Sequence, residues 1–184
     1  MIISHDPKFV YMHIPRTGGT STRAGLKKYL AIAKGFKHRT LSQIKDRMHL
    51  DWDLYFKWTR VRNPWDRLVS IYSRKSQRRR SPLKQDFESW VKHTALKSPR
   101  GQEFNQRRYV KDQGLDFVAR FENIDKDFYF FCNSVGLPDI KLPKKNSAEH
   151  INYAKCYTPK IVDLLLTVDY FKKDLDFLGY DYKP

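Results

Sequence analysis

Residues 15–21, with the sequence PRTGGTS, have the residue types of a loop that binds an anion. They directly follow a short apolar run, 8–14, and precede apolar residues at helical spacing, so the predicted order is strand, loop and helix. In this order the loop amides point into one concavity of phosphate size. Gly18 and Gly19 let the backbone approach the anion closely, and Arg16 adds a full positive charge. The hydroxyl-bearing residues of this predicted site are Thr17, Thr20 and Ser21.

A glycine pair of this kind also occurs in ordinary turns that end with a helix cap, and that alternative stays open for the loop considered alone. Its position after a predicted buried strand favours anion binding. The loop differs from the nucleoside-triphosphate motif G-x-x-x-x-G-K-[ST], because no lysine precedes its hydroxyl residues. A nucleoside triphosphatase is therefore disfavoured.

A second cationic segment, VRNPWDRLVS at residues 61–70, follows another apolar run. Asn63 and Pro64 are typical of a helix start, which puts Arg62 at the end of a strand and Ser70 about two helical turns later. The guanidinium of Arg62 and the hydroxyl of Ser70 can hold one phosphate from two sides. Alternatively, the segment is only a capped helix start. That explanation suffices for Asn63 and Pro64, but a charged side chain at the end of a central strand usually has a partner.

We expect the two cationic segments, 15–21 and 61–70, to lie between a strand and the helix that follows it. A third unit consists of a run at 116–121 and a helical stripe that ends before Gly136. Three such units predict a single three-layer α/β domain, residues 1–184, with a central parallel sheet and a P-loop-like anion-binding loop. Ligands of open parallel sheets bind at the carboxyl ends of the strands, so loops 15–19 and 62–63 are expected to face one pocket.

The composition fits one folded domain with an anionic partner. The chain has 184 residues, of which 40% are hydrophobic and 15% aromatic, and this argues against a disordered protein. Its 36 basic and 20 acidic residues give a net charge of +16, which attracts anions. Two cysteines are too few for a disulfide scaffold, and no residues have metal-ligand spacing. No apolar run is long enough to cross a membrane and no targeting segment is recognisable, so a cytoplasmic protein is expected.

The pair of motifs HIPRTGGTS, at 13–21, and YFKWTRVRNPWDRLVSIY, at 55–72, resembles the sulfotransferase family and specifically its carbohydrate-modifying branch. In that family the first motif, usually PKTGGTS, is the 5′-phosphosulfate loop. The second motif binds the 3′-phosphate through an Arg and a Ser at the spacing of Arg62 and Ser70. Arg16 stands where the family usually has lysine. Further similar segments are DFVARFENI, LPKKNS, YTPKIVDLL and YFKKDLDFLGY, so the resemblance covers nearly the whole chain.

The resemblance implies transfer of a sulfuryl group from 3′-phosphoadenosine 5′-phosphosulfate (PAPS) to a hydroxyl group, with a carbohydrate as the expected acceptor. It implies that residues 16–21 bind the phosphosulfate and that Arg16 also stabilises the departing phosphate. The basic late loop of some branches assigns Lys144 and Lys145 to the 3′-phosphate. The scheme requires no metal.

An acceptor hydroxyl needs a general base, and six histidines compete for that role. His38, in KHRT, resembles the family's H-x-T segment and is the predicted base. An exposed loop histidine beside basic neighbours is the alternative for His38. We interpret His13 as a histidine satisfied within the first strand, His49 as the runner-up base and Glu122 as a cap or ion-pair residue.

Other functions stay open. A basic nucleic-acid-binding module accounts for the charge and the aromatic content, although no nucleic-acid motif accompanies them. A P-loop kinase acting on a small molecule would need a nucleoside triphosphate and magnesium. A sulfotransferase fold used only for binding is compatible with Arg16 in the lysine position. The basic run 74–80 is either a solvated helix end or a track for an anionic, hydroxylated glycan.

The partners expected from the resemblance are PAPS, its product 3′-phosphoadenosine 5′-phosphate (PAP) and a hydroxylated glycan acceptor. No nucleic-acid partner and no membrane span are expected, and a bacterial or viral source is favoured.

Overall fold

The structure is a computed structural model that describes residues 1–29, 36, 38–45, 47–77, 84–97, 105–143 and 152–184. The chain divides into two compact units. The first contains Met1–Arg62 and Arg108–Ser147, and the second contains Asn63–Arg107 and Ala148–Pro184. The single domain expected from the sequence stays a prediction.

A four-stranded sheet is the frame of the first unit. Its strands are β1 (Ile2–His5), β2 (Lys8–Met12), β3 (Phe56–Val61) and β4 (Phe117–Arg120), in that order across the sheet. The strands β2, β3 and β4 are parallel, so the prediction of an α/β fold with a central parallel sheet is confirmed. β1 is an addition to the predicted sheet and pairs antiparallel with β2. Its four residues are too few to show a periodic pattern.

Helices follow the strands in the predicted order. The α-helices are α1 (Gly19–Gly25), α2 (Ser42–Lys45), α3 (Pro64–Ser76), α4 (Phe87–Lys97), α5 (Ile124–Ser134), α6 (Pro159–Leu166) and α7 (Asp169–Leu178). Short 3₁₀ helices span Lys27–Tyr29, Trp52–Leu54, Arg107–Tyr109, Phe121–Asn123 and Tyr153–Cys156. The cap predicted at Asn63 is present, because its side-chain oxygen accepts a hydrogen bond from the amide of Trp65 at 2.9 Å.

The first helix is shorter than the sequence pattern predicts. The apolar spacing indicates a helix up to Gly35, whereas α1 ends at Gly25 and a 3₁₀ turn, Lys27–Tyr29, follows. Glycine is a poor helix former, and a Cβ at Gly25 would lie 2.9 Å from the Leu142 side chain. This position therefore serves close packing rather than helix continuation. Residues 30–35 lie outside the described part of the chain.

Trp58 is the centre of the core of the first unit. It is fully buried, and its ring lies 4.2 Å from that of Phe131 on α5 and 4.4 Å from that of Tyr11 on β2. These contacts pack α5 on the sheet face that carries Trp58. Because side chains alternate along a strand, Arg60 projects from the same face as Trp58. A cation is thus built into the packed face of the central strand.

The second unit is helical and is built around Trp65. The Trp65 ring lies 4.6 Å from Phe171 and 5.1 Å from Tyr157, and α3, α4, α6 and α7 contribute to the same core. The indole Nε1 donates to the carbonyl of Asp181 at 3.0 Å. The one polar atom of this buried side chain is therefore satisfied, as is usual for a buried tryptophan.

A buried carboxylate, Asp174 on α7, ties two parts of the second unit together. Its oxygens accept hydrogen bonds from the backbone amides of Gln106, at 2.6 Å, and Arg107, at 2.8 Å. Burial raises the pKa of Asp174 to about 6, although these two hydrogen bonds and the charges of Arg67 and Arg107 act against the shift. The desolvation of the carboxylate thus outweighs its partners.

Replacing Asp174 by asparagine should remove a pH dependence of stability. An unfolded aspartate titrates near a pKa of about 3.9, so the folded chain takes up this proton at a higher pH than the unfolded chain does. The contribution of Asp174 to the free energy of unfolding therefore falls as pH rises from about 4 to about 6. Thermal or urea unfolding of both proteins at pH 4.5 and 6.5 should show the wild type losing about 2 kcal/mol more than Asp174→Asn. Parallel pH profiles would contradict this assignment.

Candidate functional site

The predicted anion loop lies between β2 and α1 in the first unit. Two of its residues have left-handed backbone conformations, Arg16 with φ of 69° and Gly18 with φ of 82°. The buried hydroxyl of Thr17 donates to the carbonyl of Ile14 at 2.9 Å and braces the loop from inside. Its single hydroxyl proton is therefore used within the loop and is not available to an anion.

Neither glycine of the loop leaves room for a side chain. A Cβ at Gly18 would lie 3.0 Å from Ile124 Cδ1 and 3.3 Å from Arg60 Nη1. A Cβ at Gly19 would fall on the imidazole ring of His13, 2.7 Å from Cε1 and closer to two other ring atoms. Side chains therefore pack directly against the loop backbone at both positions.

Arg62 connects the second predicted motif to this loop. The residue is 8% exposed, and its Nη1 donates to the main-chain carbonyl of Arg16 at 3.1 Å. The guanidinium also lies 4.2 Å from the centre of the Phe121 ring, in cation–π contact. The structure thus brings Arg62 and Arg16 together within the first unit.

Arg60 is a buried cation beside the loop that the motif analysis misses. It is 0% exposed, and its Nη1 donates to Thr22 Oγ1 at 2.8 Å. Burial lowers the pKa of Arg60, whereas Tyr11, Asp127 and Asp125 act in the opposite direction. An arginine keeps its charge near neutral pH even so, because its ordinary pKa lies far above neutrality. The signal in the sequence is a charged residue inside an apolar strand, WTRV at 58–61.

The predicted base, His38, lies beside the loop and next to a second histidine. Its Nδ1 is 3.3 Å from the carbonyl oxygen of His13, and the two rings are 5.0 Å apart. A carbonyl only accepts hydrogen bonds, so this contact requires the proton on Nδ1, and the neutral ring then carries its lone pair on Nε2. The hydroxyl of Tyr109 donates to the carbonyl of His38 at 3.1 Å and holds the backbone. His13 follows β2 and packs on Gly19, which its interpretation as a strand histidine did not anticipate.

Other predicted residues have these positions. In the loop, Ser21 is buried and Thr20 exposed, while Arg16 is half-buried. Ser70 is half-buried on α3 in the second unit. Lys144 and Lys145 lie outside the described residues. The runner-up base His49 is exposed, and so is Glu122.

In the described part of the chain, no group of three or more His, Cys, Asp or Glu side chains could hold a metal ion. No helix within that part is long and apolar enough to cross a membrane.

A comparison with protein-family models gives a match to the sulfotransferase family over residues 1–181. The chain belongs to the sulfotransferase family. The match covers both motif segments, the whole sheet and all the helices described above. The family membership supports an enzyme that transfers a sulfuryl group, and the loop and its arginines are the candidate site for that activity.

Among solved structures, this sulfotransferase-family chain is similar to the crystal structure of a sulfotransferase from Alicyclobacillus acidocaldarius. The identity is 15%, the alignment covers 95% of this chain and 78% of that chain, and the TM-score is 0.47. A search of the curated proteins gives no match.

Because the His13 ring packs on Gly19, we expect Gly19→Ala to lower the stability of the protein and His13→Ala to restore most of the loss in the double variant. The new methyl group would occupy the place of the His13 ring, and overpacking of this kind costs about 1–3 kcal/mol. In the double variant Gly19→Ala/His13→Ala the obstruction is gone, so most of the lost thermal stability should return. Equilibrium unfolding of the wild type, both single variants and the double variant measures this coupling. Strictly additive effects of the two substitutions would show that the ring does not pack on Gly19.

Proposed function

We propose that this chain transfers a sulfuryl group from PAPS to a hydroxyl group of an acceptor, with a carbohydrate as the acceptor class. The observation that carries the proposal is the hydrogen bond from Arg62 to the carbonyl of Arg16, which joins the 3′-phosphate motif to the phosphosulfate loop. Arg16 and Arg62, which are 46 residues apart in the sequence, thus meet in the first unit, and the predicted base lies beside the loop.

The residues present fit a bound 5′-phosphosulfate. The loop backbone is closely packed: a Cβ at Gly19 would collide with the His13 ring, and a Cβ at Gly18 would lie only 3.0 Å from Ile124 Cδ1. Arg16 adds a full positive charge to the backbone amides of residues 17–21, a donor set suited to an anion. PAPS would supply the activated sulfuryl group, and these residues would bind its phosphate and stabilise the charge that develops there.

The base in this proposal is Nε2 of His38. Transfer forms a bond between the acceptor oxygen and sulfur, breaks the bond between sulfur and the bridging phosphate oxygen, and leaves the hydroxyl proton on Nε2. The contact of Nδ1 with the His13 carbonyl supports this role, because it fixes the tautomer in which Nε2 accepts the proton.

The remaining assignments come from the family resemblance. The resemblance assigns Ser70, Lys144 and Lys145 to the 3′-phosphate. The net charge of +16 supports an acceptor that is itself anionic, such as a carboxylated or sulfated glycan.

Binding of PAP tests the donor site directly. We expect calorimetry without magnesium to show PAP binding that is at least roughly tenfold weaker in Arg62→Met, because a charged hydrogen-bonding partner of the 3′-phosphate is lost. Adenosine 5′-phosphate, which lacks the 3′-phosphate, should bind the wild type and this variant equally. Tight binding of a short oligonucleotide with none of PAP would instead support the nucleic-acid-binding alternative.

Replacing His38 by glutamine should separate binding from turnover. Loss of a general base lowers kcat by about 10²- to 10⁴-fold, whereas the affinity for PAP should stay within about twofold of the wild-type value because His38 binds no phosphate in this proposal. Release of PAP from PAPS in the presence of a panel of hydroxylated glycans measures turnover. His49→Gln is the matched control and should keep wild-type turnover. The reverse pattern would assign the base to His49.

A further inference from the structure

Arg60 carries hydrogen-bond donors that no described residue satisfies. It lies on the central strand β3 and is 0% exposed. Its Nε and Nη2 have no hydrogen-bond partner among the described residues. Burial also raises the pKa of Tyr11, which faces Arg60, so the phenol is neutral and does not balance the charge. Unsatisfied buried donors of this kind are rare and costly, and replacement of buried ionic groups by well-packed apolar side chains is often neutral or stabilising.

The hydrogen bonds of Arg60 lead to the loop. Arg60 Nη1 donates to Thr22 Oγ1 at 2.8 Å, and the Thr22 hydroxyl in turn donates to the carbonyl oxygen of Gly18 at 3.3 Å. The Thr22 amide donates to the same carbonyl at 3.1 Å. Arg60 Nη1 also lies 3.3 Å from the point where a Gly18 side chain would begin, so the guanidinium is aimed at the loop backbone itself.

These bonds fix the orientation of one peptide unit. In a planar trans peptide the carbonyl of Gly18 and the amide of Gly19 point in opposite directions. Because Thr22 holds the carbonyl on the Arg60 side, the Gly19 amide points away from Arg60, to the opposite side of the peptide. Thr22 is itself 0% exposed, which limits its movement.

We infer that Arg60 is a positioning residue for the phosphosulfate loop: through Thr22 it sets the Gly18–Gly19 peptide so that the Gly19 amide donates to the 5′-phosphate of the donor. The guanidinium adds a positive charge behind this peptide in an environment of low polarity, where it acts more strongly than in water. Arg60 does not touch the donor, and this inference rests on the proposed function of the loop.

The test compares two ligands that differ in one phosphate. PAP carries the 5′-phosphate, and adenosine 3′-phosphate lacks it. In the wild type PAP should bind more tightly than adenosine 3′-phosphate. In Arg60→Met this preference should fall by roughly tenfold or more, while the affinity for adenosine 3′-phosphate stays the same. Thr22→Val, which removes both side-chain bonds of the relay, should show the same selective loss, and Thr22→Ser should keep the preference.

Thermal unfolding of the free proteins separates positioning from a structural role. Arg60→Met should unfold at the wild-type temperature or above it, because it removes unsatisfied buried donors. Lys57→Met is the matched control, since Lys57 is also a buried cation of β3 but pairs with Asp116 at 3.1 Å. This control should lower the unfolding temperature and keep the preference for PAP, which is the opposite pattern.

Each outcome decides the inference. Equal weakening of both ligands in Arg60→Met would show a structural role and overturn it, as would an unchanged preference for PAP. If Arg60→Met fails to fold, the comparison of Thr22→Val with Thr22→Ser gives the decision. If the wild type itself shows no preference for PAP, the proposed donor site fails and this inference fails with it.

Discussion

The Gly18–Gly19 peptide is held by contacts on both of its sides, and the arrangement of the first unit depends on this constraint. On one side Thr22, which accepts a hydrogen bond from Arg60, holds the Gly18 carbonyl, and on the other the His13 ring occupies the space above Gly19. A side chain at either glycine would break these contacts. The central strand β3 therefore places Arg60 next to the loop. The strand β2 ends at Met12, so that His13 can pack on Gly19.

Two arginines of the central strand and its end lie beside the same loop. The strand β3 carries a buried arginine at position 60 and ends before a second one at 62, and both contact the loop or the helix that follows it. Concentrating cations around backbone amides disfavours the empty site electrostatically and favours a bound polyanion. A ligand with two phosphate groups fits that balance, because it brings negative charge to the amides and to Arg62 together.

Local patterns were sufficient to predict the main elements. The runs at β2, β3 and β4 are apolar enough to indicate buried strands, and the Asn63–Pro64 pair marks the start of α3. β1 was not predicted, because four residues are too few to show a periodic pattern and the strand is recognisable only from its pairing with β2. Gly25, where α1 ends, packs against Leu142, which lies more than one hundred residues later in the sequence. A local pattern cannot reveal such a contact.

The motifs of the candidate site could be predicted from the sequence, but the residues that pack against the loop could not. The glycine loop, Arg62 and His38 carry local signals, because turn chemistry and residue type are visible in a short window. Arg60 looks like one more charge within a strand, and His13 like a strand residue. Their roles arise only when β2, β3 and α1 are packed together, since burial and the aim of a side chain are properties of the tertiary structure.

A crystal structure of the chain with PAP bound would show directly whether the Gly18–Gly19 peptide binds the 5′-phosphate. We expect an oxygen of the 5′-phosphate within hydrogen-bonding distance of the Gly19 amide, the Gly18 carbonyl still bonded to Thr22, and the 3′-phosphate in contact with Arg62. A 5′-phosphate bound away from residues 16–21, or a Gly18 carbonyl turned toward the phosphate, would show that this peptide is not the phosphate site.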